Sequence, residues 1–372
     1  MQRRKPRAWS YVWLIAALAL VVAACGGEQT TETTAGDGDA PATTESTETT
    51  EPTDTTEAAE TTEAMDEEPA FEATSVRIAT SPPEFDTVTD AYWLQSLEDA
   101  GLEVETFEFE SSPDTVRAVA AGEGDIINTS PLAIMQFIEA SGGGLEVVAV
   151  ELLKTDYYLM AVPELEGVED LEGGVVGISE PGDISDSLTR VVLEEAGLDV
   201  SSIEFAQIGG TSARIAALAA GQIQAGAAHA ADGLAAAEEF GLQPLVRYVD
   251  HVPNYAQRFL AATPEWLEEH PVLAQFLVDK MIEAQRWAQD NKEEYIALSE
   301  EVVEGISPEI RSEVFDLFAG EGFFGVDGGL DFIEPTMELE QRQGNLGEEM
   351  ADLSTWTDSS YVEDFLARNG EY

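Results

Sequence analysis

The sequence predicts an α/β protein made of two similar halves, and three observations predict it. From Ser75 onward, short Val- and Ile-rich stretches alternate with Ala- and Leu-rich ones, the pattern of parallel strands joined by crossover helices. Two segments 99 residues apart echo one another: "FESSPDTVRAVAAGEGDIINTSP" from Phe109 and "IGGTSARIAALAAGQIQAGAAHA" from Ile208. Residues 71–372 also supply enough chain for two lobes with their own cores.

In chain order, the basic residues Arg3, Arg4, Lys5 and Arg7 precede an uncharged apolar run from Tyr11 to Ala24. That run is short of the roughly 20 residues of a membrane span, so residues 1–24 read as a secretory signal peptide. The small residues Val22-Ala23-Ala24 stand directly before Cys25, the only cysteine, which excludes an intramolecular disulfide. This junction resembles the bacterial lipobox. The resemblance implies that Cys25 carries lipid, a diacylglyceryl group with an acyl chain such as palmitate. It holds the chain on the extracytoplasmic face of the cell membrane, since stable anchoring takes more than one chain.

Residues 25–70 follow as a Thr- and Glu-rich tether. From Gly26 to Pro69 there are 14 acidic residues and no basic one. Such a segment buries too little apolar surface to offset ordering entropy, and its like charges extend it. The whole chain carries −57, from 74 acidic and 17 basic residues. Without the four leading cations and the 14 tether acids, 60 acidic face 13 basic residues, or −47. A surface so negative excludes nucleic acid and anionic lipid as partners.

Within the repeat, Gly122 aligns with Gly221, Val116 with Ile215 and Val119 with Leu218. The glycines stand where each helix must stop, the left-handed position after a C-cap. Ser112 and Thr211 are the expected N-caps. Upstream, "SVRIATSPPEF" from Ser75 and "GVVGISEPGDI" from Gly174 each read as a strand running into a loop and a helix.

At this point the chain resembles a type II periplasmic solute-binding protein of an ABC importer, in the group that serves nitrate, aliphatic sulfonates, taurine and thiamine-precursor pyrimidines. The resemblance rests on "AVAAGEGDI" with "ALAAGQIQA", on "VEDLEGGVVGISEPG", and on "ATPEWLEEHPVLAQFL" with the helical residues up to Trp287. It covers Ser75 to about Lys292 well and the remainder loosely. The sequence departs from the pattern at Gly173-Gly174, where a Lys is usual, and at Gln224, where an Asp is common. The resemblance implies two Rossmann-like lobes joined by a two-strand hinge, with a ligand cleft between them. It places residues 71–160 plus 255–372 in lobe 1 and 161–254 in lobe 2, with crossings near Leu159–Pro163 and Val249–Leu260. It implies a monomer without a cofactor, partnered by a small-molecule ligand and ABC permease subunits.

In open α/β sheets, ligands sit beyond the carboxyl ends of strands, beside helix N-termini with free N–H groups. That rule selects Ser81, Phe85, Thr129 and Ser130 in the first half and Ser179, Asp183, Thr211, Ser212 and His229 in the second. Tyr157, near the first crossing, joins them. The hydroxyls can also serve simply as helix caps, and Arg214, just inside a helix start, could meet an anion but is expected to be solvated. With −47 on the folded part, a neutral or zwitterionic organic ligand is expected over a simple anion. No Gly-x-Ser-x-Gly or His-Glu-x-x-His motif occurs, "GEGDIIN" lacks the third glycine of a dinucleotide fingerprint, and the three histidines argue against a tetrahedral zinc site. Pyrimidine-synthesising relatives of this fold need a cofactor lysine, and Lys154 is the only lysine in the two halves. Neither catalytic residues nor metal ligands are therefore expected. The alternatives to solute capture are a ligand-sensing lobe for a membrane receptor and a surface enzyme on the same scaffold.

Overall fold

The computed structural model describes residues 70–372. Cys25, the expected signal peptide and the tether up to Pro69 lie outside the described residues. No helix among those described is long and apolar enough to cross a membrane.

The first half runs β1 (Ser75–Thr80), α1 (Val88–Asp99), β2 (Glu103–Glu108), α2 (Ser112–Ala120), β3 (Ile126–Thr129), α3 (Pro131–Ser141) and β4 (Glu146–Leu152). The second runs β5 (Tyr158–Ala161), β6 (Val175–Ile178), α4 (Ile184–Glu195), β7 (Glu204–Gln207), α5 (Thr211–Ala219), β8 (Ala225–Ala228), α6 (Ala230–Phe240) and β9 (Gln243–Arg247). Then follow β10 (Arg258–Ala262), α7 (Pro264–Glu269), α8 (Pro271–Asp290), α9 (Lys292–Val302), α10 (Pro308–Glu321), α11 (Ile333–Arg342) and α12 (Ser360–Asn369).

Two five-stranded sheets result, ordered β2-β1-β3-β10-β4 and β7-β6-β8-β5-β9. They have the same plan with one exchange. β10 lies antiparallel between β3 and β4, while its counterpart β5 lies antiparallel between β8 and β9. The chain thus leaves the first sheet after β4 to place β5 in the second, and leaves the second after β9 to place β10 in the first, which produces two crossings, at 153–157 and 248–257. The first crossing precedes the expected one. Tyr158 to Met160 were assigned to the first lobe, but they pair with Ala228, Ala227 and Gly226 in the second sheet.

The 99-residue repeat also holds at the level of hydrogen bonds. Asp125 Oδ2 accepts the Arg77 N–H (2.8 Å), and Gln224 Oε1 accepts the Val175 N–H (2.9 Å) at the matching place. Gln224 therefore does the work of an Asp. Gly174 is required beside it, because a Cβ there would collide with Gln224 Oε1. Gly122 and Gly221 take φ of 80° and 66° just past α2 and α5, as expected. The caps fall one residue earlier than expected. Ser111 and Gly210 are the N-caps, and Ser112 and Thr211 already lie in the first turn.

The C-terminal helices do not belong to one half alone. α8 packs on α1, where the Trp93 indole donates to the Leu277 carbonyl (3.0 Å). Tyr295, Phe315, Phe318, Phe323 and Phe324 form an aromatic cluster that covers Phe85 and Val88 of the first half and Ala230, Ala231 and Val249 of the second. Each such buried ring contributes about 1.5–3 kcal/mol of transfer free energy. From α11, the fully buried Glu340 accepts bonds from Ser187 Oγ of α4 (2.8 Å), Tyr255 OH (2.6 Å) and Asn345 Nδ2 (2.7 Å).

Candidate functional site

A cavity of about 270 Å³ lies between the carboxyl ends of the two sheets. Nine of the ten residues singled out from the sequence line it: Ser81, Thr129, Ser130, Tyr157, Ser179, Asp183, Thr211, Ser212 and His229. The arrangement follows from the topology. β1, β3, β6 and β8 all point their carboxyl ends at the cavity; helices α3 and α6 start immediately after β3 and β8, and short loops lead from β1 and β6 to α1 and α4. Ser130, Asp183, Gly210 and His229 are the N-caps of α3, α4, α5 and α6. Asp183 uses a carboxylate oxygen to accept the Ser185 N–H (2.7 Å). Burial still pushes its carboxyl above the ordinary range.

Phe85 is the exception, and the structure corrects it. Its ring is fully buried, edge-on to Tyr295 (centroids 5.4 Å apart) and beside Phe318 (6.1 Å). The turn at Phe85–Thr87 sends the ring into the C-terminal aromatic cluster and leaves the preceding Glu84 at the cavity. Arg214 is corrected as well. It is 2% exposed, and its guanidinium donates to the carbonyls of Ala227 (2.7 Å) and Gly209 and to Thr211 Oγ1 (3.2 Å).

Several lining groups went unnoticed in the sequence. Gln257 comes from the second crossing and Arg258 from the first residue of β10, Glu84 from the loop after β1, Glu110 from the loop after β2, Asp232 from the first turn of α6, and Glu304 from the loop after α9. The crossing itself was a usable signal for Arg258, which falls inside the interval expected for it. The others carry no motif.

Arg258 is buried and fully engaged. Nε lies 3.1 Å from Glu151 Oε2, and the two terminal nitrogens donate to Ser81 Oγ (2.7 Å), Thr80 Oγ1 (2.7 Å) and the Asn128 carbonyl (2.9 Å). Asp90 lies 3.5 Å away, and burial, with Glu151 beside it, holds its carboxyl well above the ordinary range.

His229 stands between carboxylates. Nε2 is 2.8 Å from Glu84 Oε2, Nδ1 is 2.7 Å from Asp156 Oδ1, and Asp86 Oδ2 is 3.6 Å from Nδ1. Burial alone would depress the imidazole, but Asp156, Glu84 and Asp86 outweigh it and hold its pKa well above the usual value. Burial pushes Asp86 up to about 8 and Asp232 up to about 6. Tyr157 packs edge-on against the imidazole at 4.5 Å, and burial pushes its phenol up to about 12. Three buried polar atoms of lining residues have no partner among the described residues: Ser130 Oγ, Gln257 Oε1 and Asp232 Oδ2. Lys154 lies apart from the cavity and donates to the Glu321 carbonyl in an exposed position.

Two sheets with exchanged strands, closed over a cavity at their carboxyl ends, define the type II periplasmic-binding-protein architecture. Within that class the family is given by the sequence: the NMT1/THI5-like family model matches residues 97–295, and the chain belongs to that family. No curated protein matches the sequence. Among solved structures, the alkanesulfonate-binding protein SsuA from Xanthomonas axonopodis pv. citri bound to MOPS is similar, with TM-score 0.63 and 18% identity over 78% of this chain and 100% of its own. The periplasmic nitrate-binding protein NrtA from Synechocystis has TM-score 0.65 and 12% identity, covering 81% and 90%. The ligand-binding component of an ABC-type import system from Staphylococcus aureus, with zinc bound, has TM-score 0.63 and 14% identity, covering 78% and 99%. At these identities the likeness is one of fold.

Proposed function

We propose that this chain is the solute-capturing component of an ABC importer, anchored outside the membrane through lipid on Cys25, and that its cargo is a neutral or zwitterionic small organic molecule carrying an N–H or ammonium group. Family and fold support capture and delivery to a permease. The charge balance of the cavity supports the cargo class and is the observation that carries it. Five carboxyl groups line the cavity, those of Glu84, Glu110, Asp183, Asp232 and Glu304, against two guanidiniums and the His229 imidazole, which is itself held between Glu84 and Asp156. Both guanidiniums are already committed, Arg214 to backbone carbonyls and Arg258 to Glu151 and the hydroxyls of Ser81 and Thr80. A simple anion such as nitrate or a sulfonate would find no free cation and would face five like charges. A cargo with both polarities fits better. Its donors meet the carboxylates, and its acceptors meet the helix-start N–H groups and Ser130 Oγ.

Capture works by differential affinity. A ligand that touches both halves binds the closed arrangement more tightly than the open one and shifts the balance toward it. The test is calorimetric titration of the protein with a panel of amino acids, neutral amides, organic amines, nitrate and alkanesulfonates. Binding is expected among the first three classes, and binding confined to the anions would overturn the cargo assignment. Turnover of a bound solute would favour the enzyme alternative instead.

A further inference from the structure

We propose that His229, Glu84 and Asp86 form a binding site for one divalent transition-metal ion in the wall of the cavity. Each of the three can bring a donor atom within 4.8 Å of the other two. The imidazole is already set as a ligand. Asp156 Oδ1 lies 2.7 Å from Nδ1, so it fixes the N–H there and turns Nε2 toward Glu84 Oε2, 2.8 Å away; Asp86 Oδ2 lies 3.6 Å from Nδ1, so the Asp86 carboxylate has to turn toward Nε2 to join the ion. Asp156 is held in turn, its other oxygen accepting the Ala230 N–H (3.0 Å). Metal-bound histidines are typically oriented by such a carboxylate on the far nitrogen.

A second observation, distinct from the clustering itself, concerns Asp86. Asp86 is 2% exposed, and its Oδ1 has no partner among the described residues. A buried carboxylate oxygen without a donor is costly unless something positive meets it. The nearby guanidinium does not, because Arg258 is bonded to Glu151, Asn128, Ser81 and Thr80. One nitrogen with carboxylate oxygens suits Mn²⁺, Fe²⁺, Co²⁺ or Zn²⁺ better than Ca²⁺, which takes oxygen alone, or Cu⁺, which takes sulfur. Glu84 and His229 line the cavity, so an ion has an entry path. On binding, the proton on Nε2 is displaced to solvent. No motif announces this site, because its donors come from opposite halves of the chain.

The test uses the EDTA-treated full chain titrated with Mn²⁺ or Zn²⁺ alone by calorimetry, in two buffers of different ionisation enthalpy. One ion per chain with proton release is expected. Glu84→Gln, Asp86→Asn and His229→Gln should each weaken binding by about 100-fold or more, and Asp156→Asn by about 10–100-fold. Asp316→Asn, on the outer face of α10, should change nothing. A chain this acidic also gathers ions diffusely, so binding that does not saturate at one equivalent, or that ignores the four site substitutions, overturns the proposal. If a variant fails to fold by circular dichroism, the wild-type electron paramagnetic resonance spectrum of Mn²⁺ decides. An immobilised signal at one equivalent supports the site, and a spectrum of hydrated, exchanging ion refutes it. No organic solute enters these assays, so their failure leaves solute capture standing.

Discussion

Replacing Arg258 by Met tests whether the charge network under the cavity is organised as described. The substitution keeps most of the side-chain volume and removes the cation. Glu151, 1% exposed, then loses its partner at 3.1 Å while keeping the bonds from Asn128 Nδ2 (2.8 Å), Thr89 Oγ1 (3.0 Å) and Gln285 Nε2 (3.2 Å). Breaking a buried pair by removing one member costs about 3–5 kcal/mol, because a charge is left unpaired in a poorly polarisable place. A buried pair is worth far less than that against a neutral replacement of both members. Arg258→Met should therefore cost about 3–5 kcal/mol at pH 8, and adding Glu151→Gln should return more than half of it. The penalty should also depend on pH. Asp90 already holds its proton more tightly than an ordinary carboxyl, and losing the guanidinium strengthens that hold. Protonating it as the pH falls relieves the unpaired charge, so the penalty at pH 5 should be smaller than at pH 8. Urea unfolding followed by tryptophan fluorescence measures all three quantities. A cost below about 1 kcal/mol at pH 8, or a double variant no better than the single one, would show that Arg258 does not neutralise Glu151.

Glu340 offers a second pH test: burial holds its carboxyl above the ordinary 4.5, so the folded chain keeps a proton that the unfolded chain releases, and stability falls as pH rises past 4.5. Glu340→Gln should flatten that slope, and parallel urea midpoints for variant and wild type between pH 4.5 and 7 would refute it. Gly325→Ala should lower stability by about 1–3 kcal/mol, because its Cβ would run into the Val150 and Glu151 carbonyls, which are strand backbone and cannot turn aside; an unchanged melting temperature would mean the strand yields freely. Cys25→Ser should abolish incorporation of labelled palmitate, and labelling that persists would place the lipid elsewhere.

The parts of this molecule legible in sequence are those set by local chemistry. The helix-stopping glycines, the Ala/Leu periodicity and the strand–helix spacing recur 99 residues apart, so the sheets and the residues at their carboxyl ends could be read directly. What stayed hidden depends on contacts between distant segments. Phe85 looks like a cavity residue until Tyr295 and Phe318 arrive from helices some two hundred residues later. Arg214, in a helix start of an acidic chain, reads as solvated, yet the carbonyls of Gly209 and Ala227 curl round it. The strand exchange was readable only as crossings, and the first was placed several residues late because "YYLMAV" is equally good strand in either sheet. The carboxylates round His229 carry no signal at all, since 24% of the chain is charged and a surface acid and a cavity acid look alike.

The duplication also separates scaffold from site without any second sequence. Positions that close the fold do the same work in both halves even where the residue differs. Asp125 and Gln224 each accept a backbone N–H of the neighbouring strand, from Arg77 and Val175, and Gly122 and Gly221 each take the left-handed turn. Ser130 and His229 occupy equivalent N-cap positions, yet neither side chain caps its helix. One leaves a hydroxyl without a partner at the cavity, and the other gathers Glu84, Asp86 and Asp156 round it. Helices α3 and α6 thus start without help from these side chains, and a polar residue buried at a helix start without capping it costs stability rather than adding to it. Ser130, whose hydroxyl has no partner among the described residues, is therefore where a substitution should change affinity with least harm to folding, whereas removing His229 would also leave Asp156 and Glu84 without their partner.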